Sequence, residues 1–343
     1  MRFTVAATGD VLTHPAVLAA ADAGGGTSDF VPLLRDVGAR VRRADLGICH
    51  QELVIGTGRP HQQGWRYLAP PELAEATATL GWDACTVASN HAVDHGEWGL
   101  ASTIEALDAV GLEHTGTFLT RRARTRPLIL RVRGVDIALL SYTEATNHIV
   151  PPELFSVARY GAPRILADAR RARRRGAEAV VVNLHDSGDF QPRARLQQSL
   201  ARRLVASPAI SAIVAQGPHI VRPIRFVAGK PVVFSEGDLL SDYDSSPTGS
   251  GRSEWASGLI AELRFVARRS TVRVASVRYL PLHVDRHAFT VAPIARALRR
   301  QGADRTAVRA DYREVVGVVG RSSRISPVPR RLPPGPGGLA AAP

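Results

Sequence analysis

Lysine is nearly missing from this chain: Lys230 is the only one, and the other 43 of 44 cationic residues are arginines. There is one methionine, there are two cysteines, and aromatics make up only 6%. No apolar run approaches the roughly eighteen residues that a membrane-spanning helix requires. The start, Met1-Arg2-Phe3-Thr4-Val5-Ala6-Ala7, enters directly on a strand-like segment and has no long apolar core followed by a cleavage site. The expectation is a cytoplasmic chain, with peripheral membrane association left open. Cys49 and Cys85 lack the C-x-x-C spacing of a zinc or redox site, and each ends a short apolar stretch. They read as two buried core thiols rather than a disulfide. There is no Gly-x-Ser-x-Gly elbow and no phosphate-cradling loop before Lys230, which removes two large enzyme classes.

What is present suits a globular protein of 343 residues, with 45% hydrophobic and 22% charged content. The net charge of +13 comes from arginine. Arginine together with abundant alanine, glycine and proline is what GC-rich codon usage favours, and that accounts for most of the basicity. The alternative is attraction to an anionic partner. Basic and aromatic residues do not interleave as they do on a nucleic-acid face. The densest stretches, Arg121–Arg133 and Arg164–Arg175, read as solvated surface, so no specific nucleic-acid partner is expected.

Short apolar runs alternate with helical stretches, the pattern of an α/β protein. Strands are expected at 3–8, 46–49, 84–88, 128–132, 136–141, 179–184, 209–214 and 231–234. Helices are expected at 30–43, 71–80, 97–110, 164–175 and 195–204. Residues 257–265 and 271–282 alternate like an antiparallel pair joined at 268–270, so the sheet is expected to be mixed. A helical segment covering 294–301 and 307–319 closes a single domain of residues 1–320. The Ser/Pro/Arg-rich stretch 321–343 reads as a disordered tail. Residues 24–28 and 245–251 read as flexible surface loops.

Metal-capable side chains gather where these strands end. They are Asp10 and His14, then His50-Gln51-Glu52, then Asn90-His91 with Asp94, then His185-Asp186, and finally His219. Strand carboxyl ends in an open α/β sheet converge on one crevice. Each residue alone has an ordinary alternative: Asp10 as a helix cap, Glu52 as a solvated carboxylate, Asn90 as a turn residue, His185 or His219 as a hydrogen-bonded structural histidine. Five strand ends each carrying such a side chain argue for a shared site.

Several segments, in order and spacing, resemble motifs of the CapA family of poly-γ-glutamate capsule synthesis proteins. They are Thr8–His14, His50–Glu52, Ala88–Gly96, Asn183–His185, Gly217–Ile224 and Gly229–Asp238. The resemblance implies a four-layer α-β-β-α metallophosphoesterase-like sandwich of two mixed sheets, related to calcineurin-type phosphoesterases. It further implies that Asp10 and His219 bind one metal, Glu52 bridges, and Asn90 and His185 bind a second. His91 would be the general acid, with Asp94 orienting its ring. The implied cofactor is one or two divalent ions, Mn, Fe or Zn. The implied partner is an anionic substrate, a phosphate ester or a polyglutamate-like chain. Three positions depart from the family pattern. Gly217 stands where a histidine is usual two residues before His219, Asp186-Ser187 replaces Trp-Gly, and Gly237-Asp238 replaces Gly-Asn. One metal position is therefore expected to have lost a ligand, with Asp186 or Asp238 offering a replacement oxygen suited to Mn or Mg. His14 joins these two as an accessory candidate. A metal-dependent hydrolase is the first functional expectation; a family member that binds an anionic ligand without turnover is the alternative.

Overall fold

The computed structural model describes residues 1–186, 195–243, 258–269 and 271–332. The near-continuous apolar runs become strands covered on both faces, as such runs require. In Ala179–His185 every position is buried. Val181 faces one core while Val180 and Val182 face another.

Two mixed sheets result. The first has nine strands. Its parallel half runs from Arg2–Val11 through Leu46–His50 and Ala84–Thr86 to Glu113–Thr115. On the other side of the first strand lies an antiparallel ribbon of Leu259–Arg268, Thr271–Asp285 and Thr290–Pro293. Asp238–Leu240 adds in parallel at the end of the first strand. The second sheet has six strands. Val135–Thr143, Ala179–His185, Ala212–Gln216 and Lys230–Val233 are parallel, with Leu128–Val132 and Ile224–Val227 antiparallel at the edges.

Alternation along the strands distributes the core. Phe3, Val5 and Ala7 meet Ile137, Leu139, Val181 and Val214 of the other sheet in one shared cluster. The opposite face of the first sheet packs on Leu33, Leu34 and Val37 of helix Val31–Val41 and on Leu73 and Leu80 of helix Glu72–Leu80. The outer face of the second sheet packs on Ile165 and Ala169 of helix Ala162–Arg174 and on Leu200 and Leu204 of helix Arg195–Val205. The order is helices, sheet, sheet, helices. These helices are the crossovers that parallel neighbours need. Helix Glu72–Leu80 stops at Gly81, whose φ of 96° supplies the left-handed cap.

Two sequence expectations fail here. Cys49 and Cys85 are not separate thiols: they stand opposite each other on adjacent parallel strands, 4.5 Å apart at Cα, and form a disulfide. Their separation of 36 residues carries no trace of that register. The chain also stays structured beyond Arg321. Ile325–Pro327 adds as a strand beside Thr271–Asp285, and buried Ile325 joins Val315 and Val319 of helix Arg305–Val319 against the inter-sheet core. Residues 333–343 of the expected tail lie outside the described residues, as do 245–251. The other expected loop is an exposed hairpin of Asp22–Gly24 and Thr27–Ser28.

Candidate metal centre

Register alone brings three of the polar residues side by side. Asp10 on the first strand pairs with His50 on one flank and Asp238 on the other. In the second sheet His185 pairs with Gln216. Glu52 lies two residues beyond His50, and Asn90 and His91 sit in the turn after Ala84–Thr86. His219 follows Gln216, with a φ of 58°. Close backbone approach makes room for this convergence. A Cβ on Gly9 would stand 1.8 Å from the Gly237 carbonyl oxygen, so only glycine fits there.

The resulting cluster is buried. Asp10, Glu52, His50, His185, His219, Glu236 and Asp238 are each at most 5% exposed. His50 Nε2 lies 2.9 Å from His185 Nδ1 and 3.5 Å from Asp10 Oδ1. His185 Nε2 lies 2.8 Å from Asn90 Oδ1 and 3.8 Å from Glu52 Oε1. On the other side His219 Nδ1 bonds Asp238 Oδ1 at 2.9 Å, and its Nε2 is 4.0 Å from Glu52 Oε1. Glu52 thus stands between the two imidazoles. Two groups have ligand atoms all within 4.8 Å of one another: Asp10 with His50 and His185, and Asp10 with His219 and Asp238.

Burial and neighbours split the histidines. His50 is pulled down to about 3, by burial first and by the charge of His219 second. His185 falls well below its ordinary value, by burial first, then through His50 and His219. Burial also opposes protonation of His219, but Asp238, Glu52 and Asp10 outweigh it and push that imidazole well above its ordinary range. Glu236 is pushed up to about 8 by burial, with Asp10 adding repulsion and the hydrogen bond from Gln216 opposing.

At the edge of the cluster His91 Nδ1 bonds Asp94 Oδ2 at 2.7 Å. Asp94 Oδ2 also accepts the Tyr67 N–H at 2.9 Å, so the carboxylate is held from two sides. The Tyr67 ring stands edge-on to both His91 and His14. His14 is bonded to Asp242 at 2.6 Å and edges Tyr243, which tilts over His219. His14 therefore lines the wall and belongs to neither ligand group.

The structure brings together Asp10, Glu52, Asn90, His185 and His219, sets the His91–Asp94 pair beside them, and draws in Asp238. Asp186 goes elsewhere. Its Oδ2 accepts from Arg222 Nη1 at 2.9 Å, in a buried pair that Gln197 also approaches. Glycine at position 217, where the family pattern has histidine, has a local steric basis. With φ at 100° and a Cβ position only 2.0 Å from the Asp186 carbonyl oxygen, no side chain fits. Instead the Gly217 N–H donates to Asp10 Oδ2 at 3.1 Å. His50, which the sequence motif contains without a role, joins the cluster against Asp10 and His185; strand pairing with Asp10 is the signal that finds it. Glu236 and Gln216 were also missed. They join a buried chain in which Asn183 donates to Gln216 and Gln216 donates to Glu236.

Asp10, Glu52 and Asp238 crowd one buried space in which His219 offers a single compensating positive charge. Asp238 Oδ2 has no hydrogen-bond donor among the described residues. Oxygen and imidazole donors in this mixture suit a divalent ion such as Mn, Fe or Zn, so the donor set fits a metal.

The profile of the bacterial capsule synthesis protein PGA_cap matches residues 4–243. This chain belongs to that family. The match takes in the whole cluster. Among its relatives, a probable polyglutamine synthesis accessory protein of Mycobacterium tuberculosis is 25% identical over 238 residues, 64% of this chain and 60% of the relative. The PGA biosynthesis protein CapA of Bacillus subtilis is 24% identical over 184 residues, half of this chain and 46% of CapA. The chain thus spans less than two thirds of these relatives' length. Among solved structures it is similar to the calcineurin-like phosphoesterase YfkN from Bacillus subtilis. The TM-score is 0.51 and identity 13%, covering 92% of this chain and 98% of that one. The likeness is one of fold: this chain has a calcineurin-like phosphoesterase architecture. No helix among the described residues is long and apolar enough to cross a membrane.

Proposed function

We propose that this capsule synthesis family member is a metal-dependent hydrolase that cleaves a phosphate ester, or a similar bond, in an anionic substrate used in polyglutamate-type polymer synthesis. Asp10, His219 and Asp238 would hold one divalent ion and His185, through Nε2, with Asn90 a second, Asp10 and Glu52 lying within reach of both. His50, bonded to His185 Nδ1, would orient that ring; Mn is the preferred metal. The observation that carries the proposal is the convergence of seven buried carboxylates and imidazoles at strand ends beside the His91–Asp94 pair. A pair of divalent ions, when bound, supplies Lewis-acid activation of the ester and of the attacking water.

The protein's own groups do the rest. Asp94 accepts from His91 Nδ1 and thereby fixes the ring and its tautomer. His91 Nε2 is left to hand a proton to the departing oxygen. Tyr67 contributes its backbone N–H to Asp94 and its ring to the wall beside His91, which limits how the imidazole can swing.

The test is hydrolysis of bis(p-nitrophenyl) phosphate with added Mn²⁺. Turnover should disappear with chelator and fall by about 10²–10⁴ in His91→Ala, the range for a general acid, while metal content stays unchanged. Absence of turnover with Mn²⁺, Mg²⁺, Zn²⁺ and Fe²⁺ would contradict the proposal and favour a family member that binds its anionic ligand without cleaving it.

A further inference from the structure

The loop that leaves strand Val135–Thr143 places Asn147 directly over the Asn90–His91 turn. Arg159 braces this loop from below, donating to the Glu144 carbonyl oxygen at 2.9 Å and to Thr146 Oγ1 at 3.1 Å. Asn147 has a φ of 45° and His148 a φ of 61°. Asparagine tolerates that left-handed conformation better than most residues, at some cost. Asn147 Oδ1 accepts from Asn90 Nδ2 at 3.2 Å. Its Nδ2 lies 3.4 Å from His91 Nε2 and 3.5 Å from Nδ1, nearly equidistant and so off the in-plane axis of either ring nitrogen.

An asparagine ligand has a problem that a carboxylate lacks: its two ends differ. Only Oδ1 can bind a cation, and a flipped amide would turn its NH₂ group toward the ion. Two hydrogen bonds orient the Asn90 amide, one between Oδ1 and His185 Nε2 at 2.8 Å and the other to Asn147. A metal ion on His185 Nε2 removes the first, because a coordinated nitrogen no longer donates. The bond to Asn147 is then what still distinguishes the oxygen end from the nitrogen end.

We infer that Asn147 is a positioning residue that locks the Asn90 amide with its oxygen toward the second metal position. This rests on the proposed metal site and adds a residue to it. Partners of this kind commonly change metal affinity by 10–100-fold.

The experiment is Mn²⁺ binding by calorimetry, with circular dichroism as the folding control. Asn147→Gly removes the side chain while keeping the left-handed backbone comfortable. It should weaken the second equivalent by about 10–100-fold. Asn147→Asp keeps an acceptor for Asn90 Nδ2 and should bind within a few-fold of wild type. Asn90→Asp makes both ends oxygen, so adding Asn147→Gly to it should change nothing further. Wild-type affinity in Asn147→Gly, or an equal loss in the Asn90→Asp background, would overturn the inference alone. No Mn²⁺ uptake by the wild-type protein would overturn the metal site and this inference with it.

Discussion

The two halves of the buried cluster both rest on imidazoles at the same depth, yet those imidazoles differ in charge. His219 sits 2.9 Å from Asp238 and is pushed far toward the imidazolium form. His50 and His185 stack on each other and are held neutral. Burial acts in one direction on all three; the neighbours decide the outcome. The imidazole half is already in the form that ligates a cation, whereas the carboxylate half keeps a proton that an incoming ion must displace. Proximity to carboxylates, rather than residue type, thus sets what each half does before metal arrives.

The variant expected to do most damage removes the residue common to both halves. Asp10 belongs to each ligand group. Asp10→Ala should take metal content, by elemental analysis, from two equivalents to near none and abolish hydrolysis. Survival of one full equivalent would mean that the halves are independent. A paired comparison is gentler. Asp238→Ala and His185→Ala should each cost one equivalent and leave the other half's affinity largely intact. Loss of both ions in either variant would erase the distinction drawn between them.

Gly217 sharpens the same comparison from the family pattern. Gly217→His restores the expected imidazole on paper, but its Cβ would overlap the Asp186 carbonyl. The variant should lose about 3 kcal/mol of stability in urea unfolding, at the upper end for overpacking, and gain no metal. Improved Mn²⁺ affinity with unchanged stability would show that the backbone yields there. The smallest effect concerns pH. Below the raised value of His219, binding at the carboxylate half should release a proton and strengthen by up to about tenfold per pH unit. The imidazole half should vary much less over the same range. Calorimetry in buffers of different ionisation enthalpy would count the proton, and none released would contradict the assignment.

The strand ends were readable from sequence because buried parallel strands are continuous apolar runs, and a polar residue that ends such a run stands out. That is how Asp10, Glu52, Asn90, His185 and His219 were found. His50 is harder to read because it stands two residues before Glu52, and only cross-strand register sets it opposite Asp10; Glu236 joins through its bond from Gln216, which sequence does not show. The disulfide was hidden for the same reason, since Cys49 opposite Cys85 is a fact of pairing. The strand Ile325–Pro327 was masked by serine, proline and arginine around it, although buried Ile325 is what anchors it. Asp186 was misassigned because sequence places it beside His185, while strand alternation turns it away, toward Arg222.

The central claim is that Asp10, Glu52 and the three buried histidines surround cations. Anomalous diffraction from Mn²⁺-soaked crystals asks this directly. Two peaks about 3.5–4 Å apart, one beside His219 and one beside His185 with Glu52 between, are the expected result. A cluster without any anomalous peak at saturating Mn²⁺ would contradict it.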